Sequence, residues 1–184
     1  RYVNNLLDMT RLEAGTVALD RQWQPLEEVV GAALGRMRGP LAGRAVRVDI
    51  PETLPLVAAD ARLLEQLFVN LLENAVKYTP AGSPVEISAA AVRDEVQVRV
   101  EDRGPGLLRG SEKKVFEKFY RGTRRTDGAG LGLAICQAIV AVHGGAIRAE
   151  NRPGGGARFV FTLASEAPPP RFDSMEGPVG KEVP

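Results

Sequence analysis

The sequence predicts an α+β fold in two layers, a mixed and mostly antiparallel sheet with helices on one face. Three observations carry that expectation. Apolar residues recur at helical spacing in three stretches, Pro25 to Arg38, Ala61 to Tyr78 and Leu131 to Val142. Alternating stretches fall between them, and two pairs have the spacing of hairpins. The order helix–strands–helix–strands–helix does not alternate regularly enough for a doubly wound parallel sheet.

Each element has its own signal. Val3, Leu6, Leu7 and Met9 give Arg1 to Ala14 a rough helical stripe, stopped by Gly15. Val17 to Gln24 alternates loosely, as a strand would. Pro25 is tolerated in a first helical turn, where its missing N–H has no partner to lose. Leu26, Val29, Val30, Ala33 and Leu34 then carry a helix to Arg38. Val46, Val48 and Ile50 alternate up to Pro51, and Leu56 to Ala59 is a further short strand. Asp60 is a good N-cap for the helix Ala61 to Tyr78, which Pro80 and Gly82 end. Its buried stripe reads as Leu63, Leu64, Leu67, Leu71 and Ala75. Val85 to Ala91 and Glu95 to Glu101 form a hairpin. A glycine-rich, charged stretch from Asp102 to Gly128 precedes the helix Leu131 to Val142, with Leu131, Ile135, Ala138 and Val142 on one side. Gly144 and Gly145 stop that helix. Ala146 to Glu150 pairs with Ala157 to Leu163 across Pro153-Gly154-Gly155-Gly156, with Phe159, Phe161 and Leu163 facing one way.

Composition narrows the function. At 184 residues the chain suits one domain with a real core. A net charge of +1 argues against a dedicated nucleic-acid binder, and 26% charged residues argue against wholesale disorder. No apolar run approaches the roughly 20 residues that span a bilayer. One cysteine and one histidine are too few for a disulfide framework or a His/Cys metal site. The chain starts at Arg1, without an initiator Met or a signal peptide, and is expected to be a piece of a longer protein. From Ala164 onward it is rich in Pro and Gly and reads as a tail.

Four motifs carry chemistry. On the helix Ala61 to Tyr78, Asn70, Asn74 and Lys77 stand at i, i+4 and i+7 and share one side. Two amides and an ammonium converging there can hold a hydrated cation and a polyphosphate. The plainer alternative, a solvated helix face, is about equally good on this helix alone. Asp102-Arg103-Gly104-Pro105-Gly106 follows a strand: the carboxylate can accept from an exocyclic amine, and the glycines allow close approach. Taken alone, this is also a common turn. Gly128-Ala129-Gly130-Leu131-Gly132-Leu133 opens a helix, where successive backbone N–H groups bind anions. It has neither the Walker nor the dinucleotide spacing. Phe116-Glu117-Lys118-Phe119-Tyr120-Arg121 lies between the last two, as a lid anchored by Phe116 and Phe119. Arg124 and Arg125 read better as a surface charge cluster.

In order and spacing these four resemble the N, G1, F and G2 boxes of the sensor histidine kinases. That is the ATP-binding catalytic domain of the superfamily shared with gyrase, Hsp90 and MutL. The likeness covers about Asp60 to Leu163. Leu6 to Gly15, Asn70 to Pro80 and Phe116 to Gly122 look most like a potassium-responsive branch of these kinases. The resemblance implies a Bergerat-type ATP-binding fold with ATP and Mg2+ as cofactors. Asn74 would coordinate the magnesium with Asn70 close by, Lys77 would meet the phosphates, and Tyr78 would lie against the adenine. Asp102 would accept the adenine amino group, with Gly104 and Gly106 shaping the base pocket. Gly128, Gly130 and Gly132, with Leu131 and Leu133, would hinge the lid and start the phosphate-facing helix. Arg121 would reach the terminal phosphate.

It further implies a division into residues 1–15, the end of a dimerisation helix; 16–164, the catalytic domain; and 165–184, the tail. The partners would be the protein's own dimerisation and phosphoacceptor domain, homodimeric in the full protein, and a downstream response regulator. Neither nucleic acid nor direct membrane contact is expected of this piece, the cytoplasmic part of a membrane-anchored bacterial protein. Two other classes compete. A gyrase- or Hsp90-like ATPase places a Glu one turn before the magnesium Asn, to activate water. Here that position is Asn70, whose amide is no general base. A nucleotide-binding module without catalysis is opposed by the intact Asn74, Lys77, Asp102 and glycines. His143, the only histidine, reads as a structural residue that the dipole favours at a helix end, and Cys136 as a small core residue.

Overall fold

The computed structural model describes residues 18–122 and 129–165. The expected helix Arg1 to Ala14, the start of the strand at Val17, Arg124, Arg125, Gly128 and most of the tail lie outside them.

The chain runs β1 (Gln22–Gln24), α1 (Leu26–Arg36), β2 (Val46–Asp49), β3 (Val57–Ala59), α2 (Ala61–Tyr78), β4 (Val85–Val92) and β5 (Glu95–Asp102). After a 3-10 turn at Lys114–Phe116 come α3 (Gly132–Val142), β6 (Ile147–Asn151) and β7 (Ala157–Ala164). Five strands form one sheet in the order β2-β4-β5-β7-β6. Only β2 and β4 are parallel; the other neighbours are antiparallel. The two-layer α+β expectation holds.

Local chemistry explains the helix limits. Asp60 Oδ1 accepts from the backbone of Arg62 at 3.0 Å and Leu63 at 3.3 Å, satisfying two orphan donors of α2. Thr79 turns extended ahead of Pro80 and closes the helix, its hydroxyl donating to the Ala75 carbonyl at 2.6 Å. Pro25 is the N-cap of α1 and not part of its first turn, with extended backbone at ψ 120°.

The core lies between the helices and one face of the sheet. Val85, Ile87, Val96, Val98, Val100, Phe159, Phe161 and Leu163 point into it. Phe68 of α2 meets Phe161 edge-on with ring centroids 5.7 Å apart. The opposite face is polar, and register lines up Arg47, Glu86, Glu101, Arg158 and Glu150 in one row across all five strands. Glu101 pairs there with Arg158 and Arg152. Burial pushes its carboxyl up, but the two guanidiniums pull it down further, so the net shift is downward.

Two stripes differ from expectation. α2 packs against both α1 and α3 as well as the sheet, so its buried side is wide. It takes in Phe68, Val69, Asn70 and Leu72, while Leu63 is only half-buried. On α3 the buried residues are Ala134, Ile135, Cys136, Ile139 and Val140, with Ala138 and Val142 at the margin. A third difference is β1. Among the described residues of the strand expected from Val17 to Gln24, only Gln22–Gln24 pair, against a β3 that is itself three residues long.

Candidate functional site

Of the sequence-predicted residues, Asn70, Asn74, Lys77 and Tyr78 lie in the C-terminal half of α2, and Gly104 and Gly132 lie against it. Asn74 is half-buried, and its buried amide Nδ2 has no hydrogen-bond partner among the described residues. An unpartnered buried donor costs about 1–3 kcal/mol, so its survival needs an explanation, and a ligand is one. A half-turn about χ2 exchanges the amide's two ends, so the position can offer an oxygen to a cation or an N–H to an anion.

Asn70 does not share that outlook. It is buried, and its Nδ2 donates to the Gly132 carbonyl at 3.4 Å at the start of α3. The expected row of Asn70, Asn74 and Lys77 along one open face is therefore split. Asn70 ties two helices together, while Asn74 and Lys77 are left nearer the surface. Helical spacing cannot distinguish these roles, because the direction of α3's approach decides them.

Lys77 holds its ammonium 5.0 Å from the centroid of the Tyr78 ring, a cation–π contact. Both side chains are half-buried.

Asp102 ends β5 and is buried. Its Oδ1 accepts from Gly104 N at 2.8 Å and Ala157 N at 3.1 Å. Both bonds use the same oxygen, so the carboxylate is fixed in orientation while Oδ2 keeps its acceptor capacity. Tyr78 O and Thr79 Cγ2 would lie 3.2 Å and 2.9 Å from a Cβ on Gly104. The Asp102 turn therefore sits directly on the end of α2.

Gly106 is required by geometry. Its φ is +79°, and a Cβ there would meet Asn151 Oδ1 at 2.4 Å. Asn151 was not singled out from the sequence, yet it holds this turn. Its Oδ1 accepts from Leu107 N at 2.6 Å and its Nδ2 donates to Leu107 O at 3.1 Å. The side chain thus imitates a strand neighbour for a segment that is not a strand. An Asn two residues before Pro153-Gly154 reads as a turn residue, so no local signal marks it.

The segment between the glycine motifs is anchored at one expected point. Phe116 is buried and meets Phe159 edge-on at 6.5 Å. Phe119 is not an anchor: it is 62% exposed, with φ at +62°. Its backbone is held instead, Phe119 N donating to Gly130 O at 3.0 Å. Gly130, with φ +69°, lies so close that a Cβ would stand 2.8 Å from Tyr120 O. Arg121 is exposed at the far end of this segment. Leu131, buried, is the N-cap residue of α3 and contributes no side-chain cap, so among the described residues no side chain caps the backbone donors at that end. Nothing lies within 4 Å of a Cβ built on Gly132, and Leu133 beside it is half-buried.

His143 and Cys136 are structural. His143 is buried at the C-terminus of α3, and its Nε2 accepts from Asp60 N at 3.0 Å. Its Nδ1–H donates to Ile139 O at 2.7 Å. Burial lowers its pKa most. The bond to Ile139 opposes that, Arg21 adds to the lowering and Asp60 opposes it, and the net shift is downward. The ring is a neutral bridge between α2 and α3, as a structural histidine, held there by its two hydrogen bonds. Cys136 is buried, and burial pushes its thiol far up.

Residues 59–167 match the sequence profile of the family described as histidine kinase-, DNA gyrase B-, and HSP90-like ATPase. The sensor protein KdpD of Escherichia coli (strain K12) is 48% identical over 171 residues, which are 92% of this chain and 19% of that protein. Full-length ShkA in complex with AMPPNP superposes with a TM-score of 0.79 at 32% identity, covering 92% of this chain and 37% of ShkA. The mycobacterial sensor histidine kinase MprB gives 0.72 at 28% identity, covering 80% of this chain and 99% of that one. The chain thus spans about a fifth of the curated KdpD it matches.

Proposed function

Because this chain belongs to the family of histidine kinase-, DNA gyrase B- and HSP90-like ATPases, we propose that it binds ATP with Mg2+ and passes the γ-phosphoryl group to a histidine on a separate dimerisation domain. It corresponds to the catalytic-domain region of sensor histidine kinases. The single observation that carries the site assignment is the buried, unpartnered amide of Asn74 on the same helix end as the Asp102 turn.

The residues fit ATP and a divalent cation. An amide oxygen from Asn74 suits magnesium, which prefers oxygen ligands and keeps several waters. Bound there, the cation would neutralise charge on the phosphates. Asp102 Oδ2, fixed by the two bonds on Oδ1, accepts from the exocyclic amine of adenine. Tyr78 offers the base a ring face, and Lys77 supplies a point charge for phosphate once it swings from that ring. The uncapped start of α3 and Arg121 face the remaining phosphate charge. Phosphoryl transfer needs little covalent help, so positioning and charge are the main contributions.

Transfer is favoured over hydrolysis by Asn70. The position one turn before Asn74 carries an amide, which cannot take a proton from water, and this amide is committed to Gly132. The attacking histidine is not His143, whose two ring nitrogens both have partners inside the protein. The division into residues 1–15, 16–164 and 165–184, the homodimeric dimerisation domain, the downstream response regulator and a cytoplasmic place beneath a membrane anchor belong to this proposal. The identity to KdpD supports a potassium-responsive sensor.

A radiolabelled-ATP assay tests it. The chain alone should neither label itself nor hydrolyse ATP quickly. Given the preceding dimerisation domain in trans, it should label that domain on an acid-labile, base-stable phosphohistidine. The rate should be low, since the roughly millimolar effective concentration of a short tether is lost. Self-labelling that disappears in His143→Ala would overturn the assignment.

A further inference from the structure

Arg44 lies outside every motif described above, in the loop between α1 and β2. We propose that it is a positioning residue for the base end of the nucleotide site, an inference that rests on the nucleotide reading. Its guanidinium donates to four oxygens, all uncharged. One nitrogen reaches Thr79 Oγ1 at 2.6 Å and Ser83 O at 3.2 Å. The other reaches Val76 O at 3.1 Å and Thr79 O at 3.4 Å.

Those acceptors lie at the end of α2. The last carbonyls of a helix have no intrahelical partner and carry the negative end of its dipole. A cation there is favourable, and a planar fork fixes directions as well as charge. Val76 and Thr79 bracket Lys77 and Tyr78, the two residues that would meet phosphate and base. Arg44 therefore holds the backbone on both sides of them.

The constraint continues into the neighbouring turn. Thr79 is buried, and its hydroxyl is already committed to Ala75 O at 2.6 Å. Thr79 Cγ2 would stand 2.9 Å from a Cβ on Gly104, so the helix end and the turn touch without slack. Gly104 N in turn donates to Asp102 Oδ1 at 2.8 Å. A shift of Thr79 is thereby passed to the carboxylate that reads the base. A loop arginine has no sequence spacing that would announce this role.

The test compares affinity with stability in the full 184-residue chain. Mg-ATP and Mg-ADP are titrated calorimetrically into the parent, Arg44→Met, Arg44→Lys and Thr79→Val, well below each variant's melting temperature. Arg44→Met should weaken both nucleotides about tenfold, because the base end is common to them. Arg44→Lys keeps the charge but loses the fork, and should weaken them by a smaller factor of about three. Thr79→Val should fall in the same direction. If Arg44→Met does not fold, Arg44→Lys and Thr79→Val decide. Variants that melt earlier yet bind within twofold of the parent would show Arg44 to be merely structural and overturn the inference. A parent that binds neither nucleotide would instead overturn the nucleotide reading on which it stands.

Discussion

The two ends of α2 bury polar groups in opposite ways. At the start, Asp60 caps the helix with Oδ1, accepts Asp20 N on Oδ2 at 3.3 Å, and gives its own N–H to His143. Each of these Asp60 groups has a partner inside the protein. Toward the other end, Asn74 keeps a buried amide nitrogen with none, and the Asp102 carboxylate spends both of its internal bonds on one oxygen. Both regions are polar, and both sit at junctions between elements. A saturated cluster stabilises the fold. The unsaturated one is where the proposed nucleotide would complete the bonding.

That difference predicts a separation of effects. The largest should come at the unsaturated end: Asn74→Ala should weaken Mg-ATP binding by more than about a hundredfold, roughly 3 kcal/mol. The fold should not suffer, since alanine favours a helix interior by about half a kcal/mol and an orphan donor is removed. Calorimetric titration beside a thermal melt checks both halves. A variant that binds like the parent would remove the site assignment.

Asp60→Ala should do the reverse. Loss of the cap costs about 1–2 kcal/mol of stability, or a fall of roughly 2–8 °C in Tm for a chain of this size. ATP affinity should stay within twofold. A variant that lost affinity and kept its Tm would break the comparison.

Asn151→Ala falls between the two classes. It frees Leu107 from two bonds, at about 1 kcal/mol, and loosens the turn that carries Asp102. A two- to fivefold loss in ATP affinity is expected, together with faster amide exchange at Leu107. Unchanged exchange would show that Gly106 and its neighbours hold the turn without it.

The smallest effect is a pH slope. The folded pKa of His143 lies below its ordinary value, so the unfolded chain binds the proton more readily. This contribution to stability is full above about pH 6.5 and is lost as pH falls through the folded value. Tm should therefore drop more steeply between pH 7 and pH 5 in the parent than in His143→Gln. Parallel slopes would mean that the ring is not the neutral bridge described.

The extent to which the site was legible depends on the residue. Asn74, Lys77, Asp102 and the glycines stand in spaced motifs, so order along the chain is enough to propose them. Asn70 was found but misplaced, because a helical wheel has no knowledge of α3. Phe119 was expected to be an anchor because it is aromatic, yet its left-handed backbone turns it outward. Arg44 and Asn151 act on backbone groups distant in sequence, and such bonds leave no pattern to read.

By itself the sequence determined the elements and their class. Apolar periods of 3.6 and 2, the Asp60 cap and the stops at Pro80 and Gly144 are local, and local sterics and hydrogen bonding settle them without the rest of the chain. The order of motifs likewise marked the ATPase family before any coordinates. Only the tertiary structure decided which polar groups were spent and which were left over. Whether Asn70 or Asn74 finds an internal partner, whether His143 bridges two helices, and whether an arginine in a loop reaches the end of α2 all depend on which neighbours packing brings within about 3 Å. Burial makes that choice costly: removed from water, each group must find a partner in the protein or wait for one in the ligand.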